Sequence, residues 1–159
     1  MRALLFVAAL VLLVASPSNA QFMSSQDSTL KGLTRTMVRF RVADGTINPT
    51  IKSQLGEYLN LELRKAGLKL VDSTEDLKDD DGLLDVSMAD IDRGRTCDLN
   101  LRITLAQRST LKRTGQSLWM TTWYHENGQQ NVIADSLADD VLTEGVNRFL
   151  NRWLAMNGR

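Results

Sequence analysis

Between Cys97 and Leu105 every second residue is apolar: Cys97, Leu99, Leu101, Ile103 and Leu105. The residues between them, Asp98, Asn100, Arg102 and Thr104, are polar. A period of two predicts a strand with one dry and one wet face. The same pattern recurs in Val38, Phe40 and Val42 against Arg39 and Arg41, and again in Leu84, Val86 and Met88. A further stretch, Ser117 to Tyr124, carries Trp119, Thr121 and Trp123 on one predicted face and Leu118, Met120, Thr122 and Tyr124 on the other. Asp44-Gly45 breaks the first strand, and turn residues at Arg93-Gly94 and Thr114-Gly115 fit an antiparallel meander for the last three.

Two segments switch to the helical period. Asn48 is a capping residue followed by Pro49 at the first helical position, where its missing N–H costs nothing. Ile51, Leu55, Tyr58, Leu59, Leu63 and Ala66 then recur at three-and-four spacing, with Glu62 the polar member. Gly67 is the expected left-handed stop, and Leu68 to Val71 follows at once as a short strand. So tight a strand–helix–strand succession predicts a βαβ unit, right-handed if its strands are parallel. The second stripe runs through Ala138, Val141, Leu142, Gly145, Phe149, Trp153 and Met156, and ends at Asn157-Gly158. Ser136 with Asp139 three residues later resembles a capping box at its start.

Two amphipathic helices and one amphipathic sheet have a simple packing solution. Both helices lie on one face of a four- or five-stranded, mostly antiparallel sheet, giving an α+β two-layer sandwich of order β-α-β-β-β-β-α. The other sheet face is left to polar side chains or to a partner.

The N-terminal pattern is different again. Arg2 precedes an unbroken apolar run from Ala3 to Val14, and Ser18-Asn19-Ala20 has the small-x-small pattern that signal peptidases cut. The run is shorter than the roughly 20 apolar residues that a membrane-spanning helix needs. Residues 1–20 are therefore expected to be a signal peptide, cleaved between Ala20 and Gln21, with no cysteine after the run to take a lipid. Residues 21–34 are polar and without period, which predicts a flexible N-terminus, and 35–159 form a single α+β domain. The processed protein is expected to be periplasmic or secreted, without an integral membrane segment.

Composition narrows the function classes. Arg2 is the only charged residue in the first twenty, so of 19 basic residues 18 remain against 19 acidic ones. Balanced charge argues against a dedicated nucleic-acid or anionic-membrane binder, although a local basic patch stays open. The single cysteine, Cys97, excludes an internal disulfide. Its strand position suits a small buried hydrophobe, with pairing between chains as the alternative.

Candidate chemistry is thin. His125 is the only histidine, which excludes the common histidine-rich zinc sites. A hydrolytic dyad of His125 and Glu126 would need two adjacent side chains to converge, and neighbours on a strand point apart. Asn127-Gly128 beside them is the standard hairpin dipeptide, so this stretch is expected to be a surface turn. The acidic run Glu75, Asp76, Asp79, Asp80 and Asp81 suggests calcium, but it lacks the alternate ligand spacing of an EF-hand and reads as a solvated loop. Asp90 and Asp92 would sit on one strand face about 7 Å apart, yet beside Arg93 and Arg95 they read as a charged strand end. No nucleophile motif or phosphate loop is present. No metal or cofactor is expected. Trp119, Trp123 and Tyr124 are the candidate binding residues, because an exposed aromatic row can stack on sugars or take a partner's apolar side chains.

Several segments together resemble a group of small exported bacterial proteins of uncharacterised function. They are Tyr58-Leu-Asn-Leu-Glu-Leu-Arg-Lys-Ala-Gly67 with Leu68-Lys-Leu-Val71, the Leu84-Asp-Val86 strand, Thr121-Thr-Trp123, and Val146-Asn-Arg-Phe-Leu-Asn-Arg-Trp-Leu-Ala-Met-Asn157. The group carries a helix ending L-R-K-A-G, a T-W strand and a C-terminal helix ending near F-L-N-x-x-L-x-x-N. The element order is also similar to small α+β envelope domains such as the N-terminal domain of the TolB translocation protein. The resemblance implies an exported bacterial α+β domain and transfers no catalytic residue. The expected function is non-enzymatic binding to another envelope protein. The alternative is a small-molecule or glycan binder stacking on Trp119 or Trp123.

Overall fold

The computed structural model describes residues 26–43, 47–92, 97–132 and 134–158. The expected signal peptide, its expected cleavage point and the turns expected at Asp44-Gly45 and Arg93-Gly94 lie outside them, as do the side chains of Asp90, Asp92, Cys97 and Ser136. After a 3₁₀ turn at Asp27–Leu30 the elements are β1 (Arg35–Val42), α1 (Pro49–Lys65), β2 (Lys69–Val71), β3 (Gly82–Asp92), β4 (Cys97–Thr110), β5 (Ser117–Val132) and α2 (Ala134–Met156), with a second 3₁₀ turn at Thr74–Asp76 between β2 and β3. The α+β two-layer architecture expected from the hydrophobic pattern is the one observed.

The five strands form one mixed sheet in the order β2-β1-β3-β4-β5. β1 runs parallel to β2 and to β3, whereas β4 is antiparallel to both its neighbours. The parallel half follows from the chain path. Helix α1 returns the chain to pair Arg35 with Lys69, and the 72–81 loop returns it again, so that Gly82 pairs with Thr36 on the far side of β1. Asn48 caps α1 as its spacing predicts, accepting from the Thr50 N–H at 2.8 Å, and Gly67 holds φ +98° at the helix end.

One sheet face and both helices enclose a single core. Leu55, Leu59 and Leu63 of α1 and Val141, Leu142, Val146, Phe149 and Trp153 of α2 close over the alternating residues of β3 and β4. The opposite face carries charge. Arg41 grips both carboxylate oxygens of Asp85 at 2.8 Å, and Asn100 donates to Glu126 at 2.7 Å.

Four expectations are corrected. The segment expected to be a flexible N-terminus is, from Gln26 on, packed into the fold: Leu30 and Leu33 are buried in the core, held there by α2. His125-Glu126-Asn127-Gly128 is not a surface turn but the middle of β5, opposite Ile103, Arg102, Leu101 and Asn100. The 14-residue β4 needs a partner of similar length, and the turn falls at Gly115, with φ +69°. Trp119 and Trp123 do not share a face, because β5 carries a bulge between them. Helix α2 begins at Ala134, so Ser136 lies inside it and is not its cap.

Candidate binding surface

Strand β5 is the edge of the sheet, and beyond the helices it continues with β4 as a two-stranded arm. The bulge sets how it presents its side chains. Trp123 pairs with Leu105, but Thr121 already pairs with Ala106, so Thr122 is the extra residue. An extra residue reverses facing along the strand. Trp123 therefore points into the core, 4% exposed, edge-on to Phe149 with ring centroids 5.3 Å apart. Its indole N–H donates to Asp27 at 3.2 Å. Trp119 points to the opposite, wet face, the one that also bears Tyr124.

Past the bulge no helix covers the hairpin, and all ten residues from Leu111 to Met120 are exposed. Among the described residues the open large apolar side chains are Leu61 on α1 and five on this hairpin. These five, Leu111, Leu118, Trp119, Met120 and Tyr124, are each between 38% and 46% exposed. Leu118 pairs with Ser109 and Met120 with Gln107 on one face, and Trp119 pairs with Arg108 on the other. The Arg108 guanidinium stands 5.5 Å from the Trp119 ring centroid, over one face of the indole. It also reaches Asp79 at 3.1 Å, which ties the base of the arm to the acidic loop.

The acidic run is divided by its neighbours. Asp81 is buried, accepts the Lys78 N–H at 2.7 Å and lies 3.4 Å from Arg35, so it shapes the loop. Asp79 faces Arg108. These two carboxylates point to different cations, and no group of three His, Cys, Asp or Glu side chains placed to hold a metal occurs among the described residues.

His125 and Glu126 lie on opposite faces of β5. His125 is on the core side opposite Ile103, with its ring centroid 6.1 Å from that of Trp123. Its Nε2 is buried and finds no hydrogen-bond partner among the described residues. Burial lowers its pKa, the positive charge of Arg148 lowers it further, and Glu144 opposes them. Glu126 is on the wet side, hydrogen-bonded to Tyr124 and Asn100. The cleft beside His125, about 220 Å³ in volume, is lined by Asp27, Trp123, Arg148 and Arg152, and Asp27 is already engaged by Trp123 and by Arg152 at 3.7 Å. Sequence reasoning found the aromatic residues but missed Leu111, Arg108, Lys112 and Arg113 as parts of the same arm. Their signal was the absence of any acidic residue from Gln107 to Thr121.

Comparison with known proteins gives fold likenesses at low identity. Neither a protein-family model nor a curated protein matches the chain. The hypothetical protein CT253 from Chlamydia trachomatis superposes with a TM-score of 0.44 at 9% identity, over 79% of this chain and 99% of that one. A minor lipoprotein from Acinetobacter baumannii gives 0.37 at 14% identity over 79% and 93% of the two chains. Lipoprotein GNA1162 from Neisseria meningitidis gives 0.35 at 11% identity over 74% and 97%. No helix among the described residues is long and apolar enough to cross a membrane.

Proposed function

We propose that this chain is an exported, non-enzymatic binding domain of the bacterial envelope that holds its partner through the β4–β5 arm. One observation carries the reading. Among the described residues, four of the six exposed large apolar side chains lie past the bulge, on the end of the hairpin that the core does not use, and side chains of that kind are stabilised when a partner removes them from water. Export after cleavage between Ala20 and Gln21 supplies the compartment. The separation of His125 from Glu126 by the thickness of the sheet supports binding over hydrolysis. A photo-cross-linking residue at position 118, in cells that make the protein, is expected to give an adduct, with a protein or with lipid, that the same residue at position 61 does not. Equal yields at the two positions, or none at either, would defeat the reading.

The glycan alternative is left with Trp119, since Trp123 is core and Arg108 already covers one Trp119 face. Titration with cell-wall sugars is expected to leave tryptophan emission unchanged. A saturable change would favour the glycan reading instead.

A further inference from the structure

We propose that the partner of the arm is an anionic lipid surface, into which the tip of the hairpin dips; this rests on the arm being the binding element. The apolar side chains occupy both faces of a two-stranded ribbon and its turn: Leu118 and Met120 on one side, Trp119 on the other, Leu111 at the turn. A folded protein docking on a ribbon covers one face or adds a strand at its edge. A lipid interface surrounds the whole tip.

The charge at the tip agrees. From Gln107 to Thr121 the chain holds Arg108, Lys112 and Arg113 and no acidic residue. Lys112 and Arg113 lie within the turn, are exposed, and make no ion pair among the described residues. A tip of cationic, aliphatic and indole groups matches the layering of a bilayer surface. With the tip foremost, Leu111 at the turn goes deepest, the long Lys112 and Arg113 side chains reach back to the phosphates, and Leu118, Trp119 and Met120 follow at headgroup depth. A second copy of the chain is disfavoured by the same charges, because pairing two tips would bring like charges together. The acidic residues Asp79 and Asp80 lie at the base of the arm beside Arg108. They would be repelled by an anionic surface, so the hairpin enters tip first and stops at its base.

The test uses the chain from Gln21 and vesicles of phosphatidylcholine with and without phosphatidylglycerol. Expected is co-sedimentation with the phosphatidylglycerol vesicles that weakens with added salt. Tryptophan emission should shift to the blue and be quenched by brominated lipid, a signal from Trp119 because Trp123 and Trp153 are core. The double variant Lys112→Gln/Arg113→Gln should bind about thirtyfold more weakly. Leu118→Ser/Met120→Ser should not sediment even at low salt. Both variants alter exposed side chains and should keep the wild-type circular dichroism and urea midpoint. Failure of the wild type to sediment with phosphatidylglycerol vesicles overturns the inference, as does equal binding to neutral vesicles or unimpaired binding by both variants. If vesicles are ignored while position 118 still cross-links to one protein, the lipid inference falls and the binding arm stands. If neither occurs, both fall.

Discussion

Two residues in the middle of β5 show how strongly a position's meaning depends on its strand partner. Gly128 lies opposite Asn100, where an added Cβ would stand 2.6 Å from the Leu99 carbonyl oxygen and 3.3 Å from the Asn100 Cα. Those are backbone atoms that cannot swing away, so Gly128→Ala is expected to destabilise the fold by about 1–3 kcal/mol, measured by urea denaturation. An unchanged midpoint would show that β4 and β5 can separate there at no cost. His125, three residues earlier, is a polar side chain on a core-facing position. Its pKa is lowered by burial first and by Arg148 second, so the folded state favours the neutral ring relative to an unfolded value of about 6.5. The unfolded chain therefore binds more protons in this range. The contribution is fully present above the unfolded pKa and is lost as pH falls through it towards the lower folded value. The melting temperature should fall between pH 7 and 5.5, and it should fall less in His125→Gln. Parallel slopes for the two proteins would show that His125 is not the source of the acid sensitivity.

At the scale of elements, the segment before β1 acts as a strap. Leu33 hands its carbonyl to the Trp153 indole N–H at 2.8 Å. The Asn157 side chain accepts from the Gly32 N–H at 2.8 Å and donates to the Leu30 carbonyl at 3.0 Å. Thr29 reaches the Thr122 carbonyl, at the bulge, over 3.1 Å. Leu33→Ala is expected to cost about 2–5 kcal/mol in urea denaturation, as for a leucine in the middle of a core; a cost below about 0.5 kcal/mol would return the segment to a dispensable tail. The strap was hidden in the sequence because two leucines three apart set no period, and its partners are more than 90 residues away in the chain. By contrast, α1, β3 and β4 could be read directly, since each has enough turns or alternations to declare a face. The bulge in β5 could not. Its register is set by β4, and alternation within β5 itself put Trp119 beside Trp123 on one face. Asn127-Gly128 misled for the same reason, since a turn dipeptide makes no turn where a long partner strand continues past it.

Across the whole molecule, the buried core and the exposed tip that we propose binds occupy different ends of the same hairpin. Leu99, Leu101, Ile103 and Leu105 of β4 and Trp123 of β5 belong to the core, whereas everything from Leu111 to Met120 is exposed. The boundary between the two ends is the bulge, where Thr122 donates to Gln107 at 2.7 Å and Arg108 joins Asp79. A side chain that stays exposed on folding contributes little to the stability of the fold. Replacing residues 109–118 by Asn-Gly, a two-residue turn suited to the twist of a hairpin, would close the ribbon directly between Arg108 and Trp119. The shortened protein is expected to unfold in one cooperative step within about 1 kcal/mol of the wild type, with the His125 titration unchanged by NMR. It should at the same time lose vesicle sedimentation and have no arm left to cross-link. A shortened protein that unfolds with a much lower midpoint would instead make the arm part of the folding unit. Its exposed leucines and tryptophan would then need a structural explanation in place of a binding one.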